Sequence, residues 1–127
     1  MQGQQLYEYA VIRFVPRVER EEFINVGVIV FCKALKKIEV RFYLDEKKIL
    51  ALAPDADLNE LRQYLEAFAA TASGAANGGP IAKEDTASRF RWLTAVRSSS
   101  IQTSRPHPGF CNDIPHTADR LLEELVK

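Results

Sequence analysis

Apolar residues in the first third of the chain recur with the two-residue period of a β-strand. The most apolar run covers residues 22–31, E-F-I-N-V-G-V-I-V-F. Because successive side chains of a strand point to opposite faces, even-numbered positions 24–30 are predicted to share one face and odd-numbered positions 25–31 the other. Both sets are largely apolar, which predicts a central strand covered on both sides. Gly27 is predicted to mark a close approach to the backbone.

Two further alternating runs flank this central strand. Residues 6–14 and 38–44 have the same period, and Pro16 ends the first run because proline cannot donate to a β-ladder. The links between the three runs are short, which is typical of antiparallel hairpins. The pattern therefore predicts a three-stranded meander. Residues 98–105 are predicted to add an edge strand, whereas R-P-H-P-G at 105–109 has the composition of a loop.

Helix signals follow the meander. Asp45 is predicted as the N-cap of a short helix over 45–52. Asp57 and Glu60 have the spacing of a capping box and precede an apolar stripe with helical period. Pro115 is predicted to open a C-terminal helix.

The remaining segments complete the predicted fold. Residues 85–96 are predicted to form a further helix, with a strand as the alternative. Residues 73–84 are predicted to be a mobile loop, because S-G-A-A-N-G-G-P offers little side chain to pack. The predicted class is α+β, with a mostly antiparallel meander sheet of three to four strands and packed helices in one domain over residues 1–127.

Composition and charge narrow the range of functions. The chain has 46% hydrophobic residues, and 17 Lys and Arg balance 17 Asp and Glu. This neutral balance argues against nucleic acid and anionic membranes as partners, since both select a basic excess. The N-terminal residues lack the pattern of a signal peptide, no apolar run reaches the roughly 18 residues of a membrane helix, and two cysteines make no disulfide framework. We expect a cytoplasmic protein with reduced thiols and no cofactor.

One candidate site is the run Arg97-Ser98-Ser99-Ser100. The planar fork of arginine matches phosphate or carboxylate, and small hydroxyl residues let the backbone approach the anion. If any pocket of this protein binds a small anion, we expect it to include Arg97 with Ser98, Ser99 or Ser100. One alternative is a solvated polar loop. Another is that Arg97 pairs internally with a carboxylate and the serines only end an element.

A second candidate is the spacing His107-x-x-x-Cys111-x-x-x-x-His116, with Asp113 inside it. Zinc takes imidazole and thiolate at comparable spacings. The chain has only these two histidines, and structural zinc almost always takes four N or S ligands, so we predict no bound metal. A nucleophilic pair of Cys111 with a histidine is the other option, but nothing marks this thiol as activated.

A third set of polar residues surrounds the central strand: Arg13, Arg20, Glu22, Asn25 and Arg41. If the first two strands pair, Arg13 and Asn25 are expected near the same end of the sheet. We interpret the set chiefly as ion pairs that close the hairpin and fix its register, because exposed pairs are common. A Walker loop, a dinucleotide glycine fingerprint, H-E-x-x-H and G-x-S-x-G are absent from the sequence, which lowers the odds of a standard enzyme.

Two motifs in combination resemble a known family. They are Y-A-V-I-R-F-V-P at 9–16 and E-F-I-N-V-G-V at 22–28, and the similarity continues through R-F-R-W-L at 89–93 and Arg97-Ser98. With these motifs the chain resembles the bacterial family called domain of unknown function 3037. The resemblance implies a small cytoplasmic bacterial protein, often encoded near a kinase similar to the HipA toxin. It implies no catalytic residues.

These observations favour a non-enzymatic interaction or regulatory module, with an accessory role to a HipA-like kinase as the specific hypothesis. The alternative is a small anion- or nucleotide-binding domain, including an enzyme of phosphate chemistry. The two hypotheses predict different surroundings for the Arg97 side chain. A binding site places its guanidinium in a concave pocket, whereas a structural role buries it against a carboxylate.

Overall fold

The structure is a computed structural model, and it describes residues 3–127. Within this range the middle layer is an antiparallel sheet of five strands. The strands are β1 (Gln5–Phe14), β2 (Ile24–Cys32), β3 (Lys37–Phe42), β4 (Ile101–Thr103) and β5 (His107–Cys111). The helices are α1 (Glu46–Leu52), α2 (Leu58–Ser73), α3 (Thr86–Leu93) and α4 (Ile114–Leu125). The predicted α+β class is confirmed. Residues 1 and 2 of the predicted domain lie outside the described residues.

β1 lies in the interior of the sheet. It pairs with β2 on one side, and on the other side with β4 along residues 12–14 and with β5 along residues 5–9. β2 also pairs with β3, so the predicted meander is confirmed. β4 and β5 therefore share one edge of the sheet, and the sheet has one strand more than the sequence pattern predicts.

A β-bulge in β2 changes which residues face each side of the sheet. Gly27 lies opposite Ile12 and Asn25 lies opposite Arg13, so Val26 is an extra residue between the two pairs. An extra residue restarts the two-residue period out of phase, and the predicted faces are therefore wrong on the N-terminal side of the bulge. One buried cluster contains Val26, Ile29 and Phe31 of β2, and the half-buried Ile24 packs against it. The opposite cluster contains Val28, Val30 and Cys32.

Helices cover both faces of the sheet, as predicted for β2. The larger cluster joins the sheet to α1, α2 and α3 through Ala10, Ile12, Phe14, Val26, Ile29, Phe31, Ile49, Ala53, Leu61, Leu65, Ala72, Phe90 and Leu93. The smaller cluster joins it to α4 through Tyr7, Val28, Val30, Cys32, Ile114, Ala118, Leu121 and Val126. No helix within residues 3–127 has the length and apolar character needed to cross a membrane.

An aspartate precedes each of these helices, and its carboxylate accepts a hydrogen bond from the backbone N–H three residues later. The pairs are Asp45 with Lys48 (3.2 Å), Asp57 with Glu60 (3.1 Å), Asp85 with Ser88 (2.8 Å) and Asp113 with His116 (3.0 Å). The predicted caps Asp45 and Asp57 are confirmed. Segment 85–96 contains the predicted helix and not the alternative strand.

β5 occupies a stretch that the sequence pattern predicts as a loop. R-P-H-P-G has a turn-forming composition, but His107–Cys111 pairs with residues 5–9 of β1. A Cβ at Gly109 would lie 2.5 Å from the Tyr7 ring, so glycine is the residue that lets this ring pack under the strand. The loop prediction is wrong because pairing with a distant strand overrides the local composition.

Segment 73–84 contains regular structure. α2 continues through Ser73, and residues 80–83 form a short 3-10 helix. The hydroxyl of Thr71 donates to the carbonyl O of Gly78 at 2.8 Å, which ties the segment back to α2. The predicted mobility of this segment stays a prediction.

Candidate functional site

Two clefts share Arg97, which lies in the link between α3 and β4. The first, which we call the aromatic cleft, has a volume of about 360 Å³ and lies between α2, α3 and β4. It is lined by Tyr64, Ala67, Phe68, Thr71, Trp92, Leu93, Arg97, Ser99, Ser100 and Ile101. Apolar walls with a few polar groups are the usual composition of a binding cleft.

Two helices present aromatic rings to the aromatic cleft. Tyr64 and Phe68 are four residues apart on α2, so they lie on the same side of that helix. Trp92 is in the last turn of α3, next to the buried Leu93. Tyr64 and Trp92 are 46% and 45% exposed, so both rings remain accessible. The Tyr64 hydroxyl donates to the Glu60 carboxylate, and this hydrogen bond raises the pKa of Tyr64.

Arg97 lies in a concave cleft and not against a carboxylate. Its guanidinium stacks on the Trp92 ring, 4.5 Å from the ring centroid. It donates to the carbonyl O of Trp92 and to that of Ala95, the latter at 3.4 Å. Cations interact favourably with the carbonyl groups at the C-terminal end of a helix. Within residues 3–127 no ion pair includes Arg97, so the alternative of an internal pair with a carboxylate is not seen.

The second cleft, which we call the arginine cleft, has a volume of about 450 Å³. It is lined by Arg13, Val15, Val18, Glu21, Phe23, Val96, Arg97, Ser98 and Gln102. The guanidinium of Arg13 lies over the Phe23 ring, 4.1 Å from its centroid. The candidate anion-binding run is thus divided: Ser99 and Ser100 line the aromatic cleft, Ser98 lines the arginine cleft, and Arg97 lines both.

The predicted polar set around the central strand does not form one cluster. Arg13 and Asn25 are cross-strand partners, as expected from the pairing of β1 with β2. Arg20 and Glu22 form an exposed ion pair at 2.7 Å in the link between these strands. The hydrogen bond from Arg20 lowers the pKa of Glu22. This local pair agrees with the interpretation of an ion pair at the hairpin.

The other members of the polar set attach α4 to the sheet. Arg41, on β3, donates to Asp119 of α4 at 2.8 Å and to Glu39 of its own strand at 2.9 Å. The side-chain amide of Asn25 donates to the carbonyl O of Leu125 at 3.0 Å, near the end of α4. Arg41 and Asn25 thus hold α4 in place.

The predicted His and Cys spacing lies along β5 and the start of α4. His107 is exposed and packs near Tyr9, with ring centroids 5.5 Å apart, and Cys111 is half-buried. Asp113 caps α4 by accepting from the backbone N–H of His116. Within residues 3–127 no three or more His, Cys, Asp or Glu side chains are grouped to hold a metal ion. The absence of metal from the purified protein stays a prediction. Elemental analysis of wild type and Cys111→Ala tests it.

Sequence reasoning missed the aromatic rings of the clefts. The helix in segment 85–96 buries Phe90 and Leu93, but residues two apart on a helix do not share a face, and Trp92 is exposed. Tyr64 lies outside the predicted apolar stripe of α2. A large aromatic residue on the polar side of an amphipathic helix was the available signal for both Tyr64 and Trp92.

The fold and its clefts define a small α+β domain with open, partly aromatic clefts beside an antiparallel sheet. This chain belongs to the family described as protein of unknown function (DUF3037), whose family model matches residues 9–126. The resemblance drawn from the sequence motifs is therefore confirmed. A search of the curated proteins gave no match, and neither did a search of the solved structures.

Proposed function

We propose that this chain is a bacterial, cytoplasmic, non-enzymatic interaction module that docks a protein partner in the aromatic cleft. One observation carries the proposal: Tyr64, Trp92 and Arg97 surround a concave and largely apolar cleft. Trp, Tyr and Arg are the residue types that contribute most of the binding free energy at protein interfaces, and they act from pockets near the interface centre. The exposure of both rings supports the proposal, because they remain available for contact.

The chemistry of the cleft specifies the segment that fits it. Phe68, Leu93 and Ile101 supply apolar walls, which favour an apolar or aromatic side chain of the partner. Arg97 is the only charged residue in the described lining. Its hydrogen bonds to carbonyl groups use Nε and Nη2, which leaves Nη1 available. A carboxylate next to the apolar anchor would accept a charge-assisted hydrogen bond from this nitrogen.

The ionisable groups of the cleft support binding rather than catalysis. The described lining contains Tyr64 and Arg97 but no His, Cys, Asp or Glu. A general base must be able to lose its proton near the working pH. The raised pKa of Tyr64 keeps its hydroxyl protonated at neutral pH, so it is unsuited to that role.

A HipA-like kinase is the first partner to test, because resemblance to the family implies such a kinase as a neighbour. Affinity purification from the native host, with mass spectrometry of co-eluting proteins, tests this kinase together with all other partners. The bait is prepared as wild type, Trp92→Ala and Tyr43→Ala. Tyr43 is the matched control, since it is 42% exposed against 45% for Trp92 and lies outside the aromatic cleft.

The proposal predicts a partner that wild type and Tyr43→Ala retain and that Trp92→Ala binds about tenfold or more weakly. Calorimetry with the isolated partner measures the change, and melting temperatures establish that each variant is folded. Equal retention by Trp92→Ala would place the interface outside the aromatic cleft. If no protein co-elutes specifically with wild type and Tyr43→Ala, the interaction-module proposal is wrong.

A nucleotide is the second candidate occupant, and one contact favours it. Arg97 stacks on Trp92 in a cleft that also contains Ser99 and Ser100. An aromatic face can stack on a base, and a guanidinium can bind phosphate. Calorimetry or thermal shift with common nucleotides, on wild type and Arg97→Ala, tests this function. Saturable nucleotide binding by wild type that Arg97→Ala abolishes supports this function. An equal response in wild type and Arg97→Ala would place the nucleotide site elsewhere. If wild type does not respond, only the interaction-module proposal remains.

A further inference from the structure

Arg13 differs from the other half-buried arginines in the described chain. Arg41 donates to two carboxylates, and Arg89 and Arg97 donate to backbone carbonyl groups. Within residues 3–127, Arg13 takes part in no side-chain hydrogen bond or ion pair, and its buried Nε is left without an acceptor. No group of the described chain accepts from its terminal nitrogens either, so these remain available to water or to an acceptor from outside the chain.

The surroundings of Arg13 hold its guanidinium in one place. Arg13 lies on β1, an interior strand, and stacks on Phe23 at 4.1 Å. Nε is its one buried unpartnered nitrogen, so the terminal nitrogens are the part of the fork open to the arginine cleft. Oδ1 of the cross-strand partner Asn25 is also buried without a donor. A fork held in this way loses little conformational freedom on binding.

Other polar groups converge on the arginine cleft. Gln102 is the cross-strand partner of Arg13 on β4, and Arg97 and Ser98 line the same space. Glu21 is the single acidic residue in the described lining, against two arginines. The cleft therefore has an excess of positive charge and several hydrogen-bond donors, an arrangement that attracts a compact anion.

We propose that the arginine cleft binds an oxyanion, carboxylate or phosphate, on the terminal nitrogens of Arg13. Arg97, Ser98 and Gln102 line the space around it, and Nε2 of Gln102 has one N–H group beyond the one that it donates to the carbonyl O of Ser99. The planar fork of arginine presents two parallel N–H groups that match two oxygens of such an anion. The site shares Arg97 with the aromatic cleft, but it is centred on Arg13, which lines only the arginine cleft, so it stands whether or not a partner docks in the aromatic cleft.

Glu21 separates this proposal from a purely structural role of Arg13. If Arg13 served as an internal partner of Glu21, neutralising Glu21 would lower the melting temperature and leave anion affinity unimproved. In an anion site the Glu21 carboxylate repels the bound oxyanion, because like charges in one cleft oppose each other. Glu21→Gln is therefore expected to tighten anion binding.

The experiment follows the Nε–H resonance of Arg13 in ¹⁵N-labelled protein, and its melting temperature, as inorganic phosphate or acetate is added at constant ionic strength. Wild type should show a saturable response. Arg105→Gln is the matched control, since Arg105 is exposed and lies outside both clefts. Arg13→Gln should bind the anion about tenfold or more weakly, which corresponds to the loss of charge-assisted hydrogen bonds. The two anions distinguish a phosphate from a carboxylate ligand.

Several results would overturn the proposal. One is a wild-type resonance that neither anion moves, and another is equal affinity in wild type and Arg13→Gln. If Arg13→Gln does not fold, Glu21→Gln decides the question: tighter binding supports the site, and unchanged or weaker binding overturns it.

Discussion

Gly27 lies in β2 opposite Phe42 of β3. A Cβ at this position would lie 2.5 Å from the carbonyl O of Arg41, 2.8 Å from Cδ1 of Phe42 and 3.4 Å from Cδ1 of Ile12. The close approach predicted from the sequence is therefore confirmed. Backbone atoms cannot move aside without disturbing the pairing of β2 with β3, so any side chain here forces a rearrangement of the sheet.

Gly27→Val is expected to lower the free energy of unfolding by about 1–3 kcal/mol, because the added side chain overpacks the sheet. Urea denaturation of wild type and variant measures the change. Ala34→Val, in the exposed turn between β2 and β3, adds a similar bulk outside the core and serves as the control. A Gly27→Val protein with wild-type stability would show that the sheet has room at this position.

Ser104 joins the edge strands to β1 with its side chain. Its Oγ accepts from the backbone N–H of Val11 at 2.9 Å, and its own backbone N–H donates to the carbonyl O of Val11, also at 2.9 Å. Ser104→Ala leaves a buried N–H without a partner and is expected to cost about 1–3 kcal/mol. Hydrogen exchange should accelerate at Val11. Ser98→Ala removes an exposed hydroxyl and serves as the control. An equal loss of stability in both variants would contradict this role of Ser104.

At the scale of elements, the four helices use the same local device to begin. An aspartate side chain takes the place of the missing carbonyl acceptor in the first turn, so each start is determined within four residues. The carboxylate also interacts favourably with the partial positive charge of a helix N-terminus. This second contribution depends on ionisation and makes the start of α3 sensitive to pH.

The pH sensitivity at the start of α3 arises from the capping residue Asp85. Hydrogen bonds from the backbone N–H of Ser88, and then from its hydroxyl, hold the pKa of Asp85 below its ordinary value of 3.8. A carboxyl with a lowered folded-state pKa stabilises the fold above its unfolded-state pKa, and the contribution is lost as the pH falls through the folded-state value. Asp85→Asn keeps an acceptor at the cap but removes the charge.

We therefore expect Asp85→Asn to be less stable than wild type near neutral pH, with a difference that narrows as the pH falls below about 4. Denaturation measured across the acid range tests this. Asp55→Asn removes the same charge from an exposed residue that precedes no helix directly, and it serves as the control. A difference for Asp85→Asn that stays constant with pH would contradict the proposed linkage.

At the scale of the molecule, α4 covers the face of the sheet opposite α1, α2 and α3. Cys32 lies beneath it with no exposed surface, whereas Cys111 is half-buried at the end of β5. A thiol beneath a packed helix reacts only when that layer opens, so its labelling reports the opening of this face. The two cysteines therefore sample different parts of the fold.

A thiol reagent added to native protein is expected to modify Cys111 in a faster phase and Cys32 in a slower phase. The slow phase should accelerate with denaturant in parallel with unfolding, because Cys32 becomes accessible only when α4 leaves the sheet. Absorbance of the released chromophore measures both phases, and Cys111→Ala should retain only the slow one. Two fast thiols would show that α4 opens freely in the native state.

The sequence by itself determined most of the elements and part of the candidate site. Strand periodicity, apolar stripes and aspartate caps are carried by residues within a few positions of each other, because side-chain direction and capping hydrogen bonds are local. These signals predicted the meander, the helices and the close approach at Gly27. The chemistry of the run at 97–100 separately pointed to Arg97 and the serines, and Arg97, Ser99 and Ser100 line one cleft, whereas anion binding there stays a prediction.

Only the tertiary structure decided the bulge at Val26, the strand β5 and the composition of the clefts. β5 forms because residues 107–111 satisfy the backbone groups of residues 5–9, far away in the chain, and the gain from that pairing exceeds the turn preference of their own composition. Tyr64 and Trp92 likewise meet because two helices pack on the same face of the sheet. Such contacts depend on the free energy of pairing and packing between distant segments, which no local pattern of residues reports.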